Sequence, residues 1–282
     1  MWLRGLALLA GMALIGAPLG REHGLAGMTV IASQGATLAQ QDQAVTIMAA
    51  ARMALGGQAR IAAVKTFIIN GRTRQVRGDN LIPTEFEIQV ELPDKYSRRD
   101  EFPAQDAGPA TSGFNGDRLI QIPPAPTPLA RAGAPSPNPT QQEAALRARV
   151  NAARQDLARL MLGMFAGTSP NFPVVFAFIG QAEAPQGKAN VVDVKGEGNF
   201  AARLFIDAQT NLPLMLTWQA AAPPPAAPVE QRIYFADYRN VEGLQFPFRI
   251  RRASGVDTTE ETTFDRFRLN ARIDPKRFDT GN

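Results

Sequence analysis

From Thr84 to Leu92 the sequence TEFEIQVEL alternates without a break: Phe86, Ile88, Val90 and Leu92 are apolar, and Glu85, Glu87, Gln89 and Glu91 are polar. Successive side chains of a strand point to opposite faces, so this segment is a strand with one wholly apolar face. The same period returns in NFAARLFID (Phe200, Ala202, Leu204, Ile206), in LPLMLTW (Leu212, Leu214, Leu216, Trp218) and in GLQFPFRIR (Leu244, Phe246, Phe248, Ile250). Shorter strand candidates are 64–74, 96–102, 118–122, 174–179, 189–194, 231–238 and 258–269. A chain with this many half-apolar strands must bury all those faces on one side.

The connections restrict the topology further. Asn115-Gly116-Asp117, Gln209-Thr210-Asn211 and the segment from Asn240 to Gly243 are short turns, and short turns join antiparallel neighbours. Parallel strands need crossovers of a dozen residues or more, for which the stretch after Ala189 has no room. Two helices are predicted. In the first, Ala44, Ile47, Met48, Ala51, Ala54 and Leu55 recur at helical spacing over 42–55, and Gly56-Gly57 stop it. In the second, Leu146, Val150, Ala153, Leu157, Leu160, Met161 and Met164 follow at steps of three and four, with Arg147, Arg149, Arg154 and Asp156 largely on other faces. Proline-rich insertions interrupt the pattern: 123–139 is expected to be an extended or disordered loop, and 221–228, between two strands, reads as an elongated hairpin loop. About ten antiparallel strands are too many for a flat open sheet. The expected fold is α+β and mainly antiparallel β: a strongly curved sheet or unclosed barrel, with an N-terminal helix and a central lid helix packed into its concave side.

The first nineteen residues carry Arg4, then an apolar run from Leu6 to Ile15, then Pro18. That is the pattern of a secretory signal peptide and too short for a spanning helix. Small residues at Thr37 and Ala39 place cleavage before Gln40, so 1–39 is expected to be a leader and 40–282 one half-barrel domain, exported, soluble and periplasmic. Of the 282 residues none is cysteine and one is histidine, His23, inside that leader. The mature chain then has no disulfide, thiolate nucleophile, histidine base or Cys/His metal site. The net charge of +4 falls to +3 without Arg4, Arg21 and Glu22, too weak a field to imply a nucleic-acid partner.

Several passages resemble the superfamily of periplasmic lipoprotein carriers and outer-membrane lipoprotein-sorting proteins. Leu55, Gly56, Gly57, Ile61, Val64 and Gly71 are similar to its opening helix-to-strand passage, and Pro93, Asp94 and Lys95 to its second hairpin. Asp207, Thr210 and Leu212-Pro213, then Tyr234, Tyr238, Val241, Gly243, Phe246, Pro247 and Ile250, and finally Leu269, Asn270, Ile273 and Phe278 follow in the same order. The resemblance implies an unclosed β-barrel capped by helices. In the carriers an arginine on an early strand holds the lid; Arg72, Arg74 and Arg77 lie in that region, and none is singled out. The lipid-modified cysteine of anchored relatives is missing, and both proline-rich insertions are extra.

The function expected from these features is binding, without a cofactor and without an enzymatic step. A lipid, an acyl chain or the acyl groups of a lipoprotein would lie in an apolar cavity lined by Phe86, Ile88, Val90, Leu204, Leu214, Leu216, Trp218, Phe246 and Phe248, and by Leu157, Leu160, Met161 and Met164 of the lid helix. The methionines suit a variable apolar ligand. The plainer reading of the same stripe is ordinary core. An alternative function is an envelope signalling or scaffold protein that meets a protein partner, for which the 123–139 stretch is a candidate peptide ligand. Glu85, Glu87 and Glu91 share one strand face but read as a solvated row, paired across the sheet with Arg72, Arg74, Arg98 and Arg99. Arg249, Arg251 and Arg252 form a second basic group on which solvation is the default.

Overall fold

The computed structural model describes residues 37–78, 80–103, 108–124, 138–184, 187–221 and 225–280. The expected leader up to residue 36, most of the first proline-rich insertion and part of the second lie outside these residues. Twelve strands form one sheet: β1 (Thr66–Arg77), β2 (Asn80–Glu91), β3 (Lys95–Glu101), β4 (Ala110–Asn115), β5 (Arg118–Ile122), β6 (Val174–Ala184), β7 (Gly187–Gly196), β8 (Phe200–Asp207), β9 (Pro213–Ala220), β10 (Val229–Val241), β11 (Leu244–Ser254) and β12 (Asp257–Leu269). The helices are α1 (Leu38–Ala54), α2 (Gln58–Ala63) and α3 (Pro139–Phe165), with a 3₁₀ turn at Pro275–Phe278.

The strand order is β5-β4-β3-β2-β1-β12-β11-β10-β9-β8-β7-β6, every neighbour antiparallel. Hairpins therefore step outward from β1 to one edge, β5, and step back from the other edge, β6, to β12. The one connection that is not a hairpin runs from edge to edge, and it contains α3. That topology lays the helix across the side of the sheet where the apolar faces point, against β4, β5, β9 and β11. Register irregularities at Asn70/Gly71, Phe178/Gly180, Phe205/Ile206 and Arg252/Ala253 bend the strands. At Gly71 a Cβ would stand 2.7 Å from the Phe86 ring, so the ring occupies the place of the missing side chain.

One apolar cluster joins the sheet to the helices. It runs from Phe67, Ile69, Phe86, Ile88 and Val90 through Phe246, Phe264 and Phe267 to Leu204, Leu216, Ile233 and Phe235. The phenylalanines interlock: Phe246 stacks on Phe267 at 4.6 Å, and Phe165 of α3 meets Phe246 edge-on at 5.4 Å. A small second cluster lies on the outer face, where Phe278 of the 3₁₀ turn packs on Ile68, Ile120 and Ile273.

The expected fold class is the observed one, with corrections of detail. There are twelve strands rather than about ten, because 110–115 pairs as β4. The first helix begins at Leu38 rather than Asp42, since Thr37 and Gln40 form a reciprocal capping box. The second begins at Pro139, capped by Asn138, and its first turns, with Leu146, stand exposed beyond the sheet.

Candidate functional site

The candidate site is the concave face and the half of α3 seated on it. From Leu157 to Phe165 every residue of the helix is buried, because this stretch is enclosed by sheet rather than lying on it. Its backbone comes closest at Gly163, where a Cβ would stand 2.1 Å from Cε1 of Phe235 on β10. No side chain fits between helix and strand there.

Polar contacts tie α3 down along its length. Near the start of the buried half, Arg154 donates to the Gly116 carbonyl at 3.0 Å and to Asp117 at 2.8 Å, in the β4–β5 turn. One turn on, the Arg159 guanidinium stacks over Trp218 at 4.5 Å and near Phe200 at 5.3 Å, and it pairs with Asp156 at 2.8 Å. Burial lowers the Arg159 pKa despite Asp156, and its Nε has no partner. The Tyr238 hydroxyl lies 3.0 Å from the Gly163 carbonyl and 2.9 Å from that of Pro213, its one proton serving either; burial raises its pKa well above the phenol's ordinary value. Past the helix end, Arg52 of α1 donates from Nε to the Ala166 carbonyl at 3.1 Å, and burial lowers its pKa.

Of the residues expected to line a cavity, the structure brings Phe86, Ile88, Val90, Leu157, Leu160, Met161, Met164, Leu204, Leu216, Phe246 and Phe248 into the one cluster, all of them buried, with Trp218 packed partly buried at its margin. Leu214 is not in it. Phe205 pairs with Met215 and Ile206 with Pro213, so Leu214 is the extra residue of a bulge, and Pro213 takes the buried place. With α3 in position the centre of the concave face is filled by the chain's own side chains.

Open volume lies toward the two ends of β1. At its start, a cleft of about 890 Å³ is bounded by Arg52, Ile61, Val64, Lys65, Leu92, Met161, Phe165 and Phe176, together with the 167–173 loop. Toward its far end, a cleft of about 580 Å³ is polar, with Tyr96, Arg98, Asp100, Arg252, Glu260 and Thr262 facing Asp156 and Arg149 of α3. Arg98 pairs with Asp100 at 2.8 Å and lies over the Phe86 ring at 4.6 Å; Arg252 reaches Glu260 at 3.7 Å. Burial pushes the Tyr96 phenol up to about 12.

These positions correct two expectations. Arg98 stands opposite Ile88 in the register and points into the concave side, not onto the outer row of glutamates. Arg252 likewise faces inward, opposite Ile233 and Glu260, whereas Arg249 and Arg251 line an outer cleft of about 930 Å³ with Arg72, Arg74, Glu85 and Glu261. In that outer cleft Arg72 pairs with Asp265 at 3.0 Å, so neither it nor Arg74 reaches α3. Arg52, Arg154, Arg159 and Tyr238 hold the helix instead. Only Tyr238 lay within a passage of the resemblance drawn from the sequence.

Among the described residues no group of three or more His, Cys, Asp or Glu could hold a metal ion, and no helix is long and apolar enough to cross a membrane. No family model matches the sequence, and no curated protein matches it. Among solved structures, a LolA superfamily protein from Nitrosomonas europaea aligns at TM-score 0.52 over 84% of this chain and 97% of that one, with 12% sequence identity. The chain shares the fold of that protein. An outer membrane lipoprotein-sorting domain from Vibrio parahaemolyticus covers 85% of this chain and 97% of its own at TM-score 0.49 and 8% identity. A DUF1329 family protein from Desulfovibrio piger covers 84% and 97% at TM-score 0.45 and 7% identity. In this sheet the described elements fill the centre of the concave side with α3, and open clefts lie toward the ends of β1 and, at about 350 Å³, between α3 and β7–β9.

Proposed function

We propose that this chain is an exported, soluble binding protein of the periplasm that holds a lipid, an acyl chain or the acyl groups of a lipoprotein between its curved sheet and α3. The observation that carries the reading is the seat of α3: an apolar helix stripe buried in a face that continues into open clefts. The leader-like N-terminus supports export, and the resemblance to lipoprotein carriers names lipoprotein acyl groups as one member of the ligand class. The reading has no chemical step. The chain works by exchanging one set of apolar contacts for another.

Magnitudes decide what can displace the helix. Exposing Leu157, Leu160, Met161 and Met164 costs about 1.5–3 kcal/mol each, about 6–12 kcal/mol together. An acyl chain burying a dozen methylenes returns about 10 kcal/mol at ~0.8 kcal/mol per CH₂. One chain roughly balances the helix, while two or three outweigh it. The test is titration of delipidated protein with a triacylated peptide, read by tryptophan emission. Cleavage of the leader removes Trp2 and leaves Trp218 as the only tryptophan. Displacing α3 takes Arg159 off Trp218, so binding at micromolar concentration should shift the emission. No binding at those concentrations refutes the reading.

A further inference from the structure

The cleft at the start of β1 has a charge pattern of its own. Its walls are apolar, from Ile61 and Val64 beside α2, Leu92 after β2, Met161 and Phe165 of α3, and Phe176 of β6. Its lining residues include two cations, Arg52 and Lys65, and no carboxylate. Most other arginines that line clefts in this fold have acidic partners: Arg98 has Asp100, Arg252 has Glu260, Arg72 has Asp265 and Arg159 has Asp156. The Arg52 side chain has a single hydrogen bond, from Nε to Ala166, and no carboxylate within ion-pair distance among the described residues. A guanidinium carries five N–H donors, so the four on its terminal nitrogens are uncommitted. Among the described residues the Lys65 ammonium donates only to the Ala62 carbonyl, at 3.0 Å.

A half-buried cation without a counter-charge is held at a cost that a bound anion removes. The planar guanidinium fork matches one carboxylate bidentately. The volume, about 890 Å³, is in the range that encloses one small ligand rather than a lipid of two or three chains. We propose that this cleft is a binding site for a single long-chain fatty acid, its carboxylate held by Arg52 with Lys65 at the mouth, and its chain laid along Ile61, Leu92, Met161 and Phe165. The proposal rests on the acyl-binding reading and sharpens it. A single anionic chain occupies an existing cleft beside the last turn of α3, whereas a multi-chain ligand must displace the helix.

The experiment titrates delipidated protein with cis-parinaric acid and with its methyl ester, both fluorescent when enclosed in an apolar site. The acid should bind at least about tenfold more tightly than the ester, the factor expected of one charge-assisted hydrogen-bonded pair. Arg52→Gln should bring the two to within about threefold, and Arg52→Lys should retain part of the preference. Lys65→Gln should weaken acid binding by about two- to threefold and leave the ester unchanged. The acid should leave Trp218 emission unshifted, unlike the triacylated peptide. Equal binding of acid and ester by the wild type overturns the carboxylate site and leaves the acyl-binding reading standing; absence of binding by acid, ester and triacylated peptide alike overturns both. Displacement of the acid by an acyl lysophosphatidate at a tenfold lower concentration than by oleate overturns the fatty-acid assignment in favour of a phosphate head group. The wild-type comparison needs no variant to fold.

Discussion

Replacing Gly163 by alanine tests whether the distance between α3 and the sheet is set at that one residue. A Cβ there would stand 2.1, 2.2 and 2.6 Å from Cε1, Cζ and Cδ1 of Phe235, whereas carbon atoms rest about 3.5–4.0 Å apart. The shortfall exceeds 1 Å, and Phe235 is itself a buried member of the core, so the ring has nowhere to withdraw. Overpacking of this kind costs about 1–3 kcal/mol. Against it stands the gain of about 1 kcal/mol on replacing glycine by alanine inside a helix. A shortfall this large at a buried ring belongs to the upper part of the overpacking range, about 2–3 kcal/mol, so the net expectation is a loss of about 1–2 kcal/mol, or a melting temperature lower by about 3–6 °C for a domain of this size. The same backing-off draws the Gly163 carbonyl from the Tyr238 hydroxyl and loosens Arg159 over Trp218. Trp218 emission should therefore move to the red in the native state of Gly163→Ala. Thermal unfolding and emission spectra of the two proteins are the measurements. A variant as stable as the wild type or more so, with unchanged emission, refutes the reasoning, since helix propensity would then have won and α3 would not be pressed against β10.

Two further substitutions probe the polar groups around the helix. For Arg159→Met, loss of the stacking on Trp218 and Phe200, worth about 0.5–2 kcal/mol, is offset by removal of a desolvated charge whose Nε is unpartnered. Its urea midpoint should correspond to within about 1 kcal/mol of the wild type, while Arg159→Ala, which also empties the space, should lose about 2 kcal/mol or more; equal losses in the two refute the account. For Tyr96 the folded state favours the neutral phenol, pushed up to about 12. Its contribution is whole below the ordinary value near 10 and is lost as pH rises from there to about 12. Between pH 9 and pH 11 the wild type should lose about 1 kcal/mol more than Tyr96→Phe in urea titrations; parallel losses would show that Tyr96 ionises in the folded protein as readily as in water.

How far the fold was legible follows from how each element is stabilised. Strands that bury one complete face announce themselves: Phe200, Ala202, Leu204 and Ile206 alternate in the sequence and are all buried in β8. β4 does not, because ATSGFN has one large apolar residue, and Gly113 is required by proximity, a Cβ there standing 2.0 Å from the Tyr96 carbonyl. Leu214 alternates correctly with Leu212 and Leu216 yet leaves the shared face, since a bulge is a property of the pairing between β8 and β9 and not of either strand alone. Arg98 fails for a related reason. In YSRRDE both faces carry charge, and only the register with Ile88 decides which of Arg98 and Arg99 points inward. The residues that hold α3 were the least legible, because a lone arginine or glycine on a helix has no period.

That difference bears on how α3 can be both core and cover. Its ties to the rest of the chain are made by separate side chains: Arg154 to a turn carbonyl, Arg159 to two rings, Tyr238 to a helix carbonyl and Arg52 to the first residue past the helix. Each is a hydrogen bond or cation–π contact worth about 0.5–2 kcal/mol net, with water as the alternative partner. None is a backbone ladder of the kind that joins the strands. The apolar stripe from Leu157 to Phe165 is exchangeable too, since acyl methylenes satisfy the same sheet residues by the same burial. The element that fills the concave face is thus held there by terms that a ligand or water can replace one by one, while the sheet that receives it is joined by a continuous ladder of hydrogen bonds from β5 through β1 and β12 to β6. The contacts that a ligand entering this face can replace are therefore those of the helix, and Gly163 sets how closely the helix approaches β10.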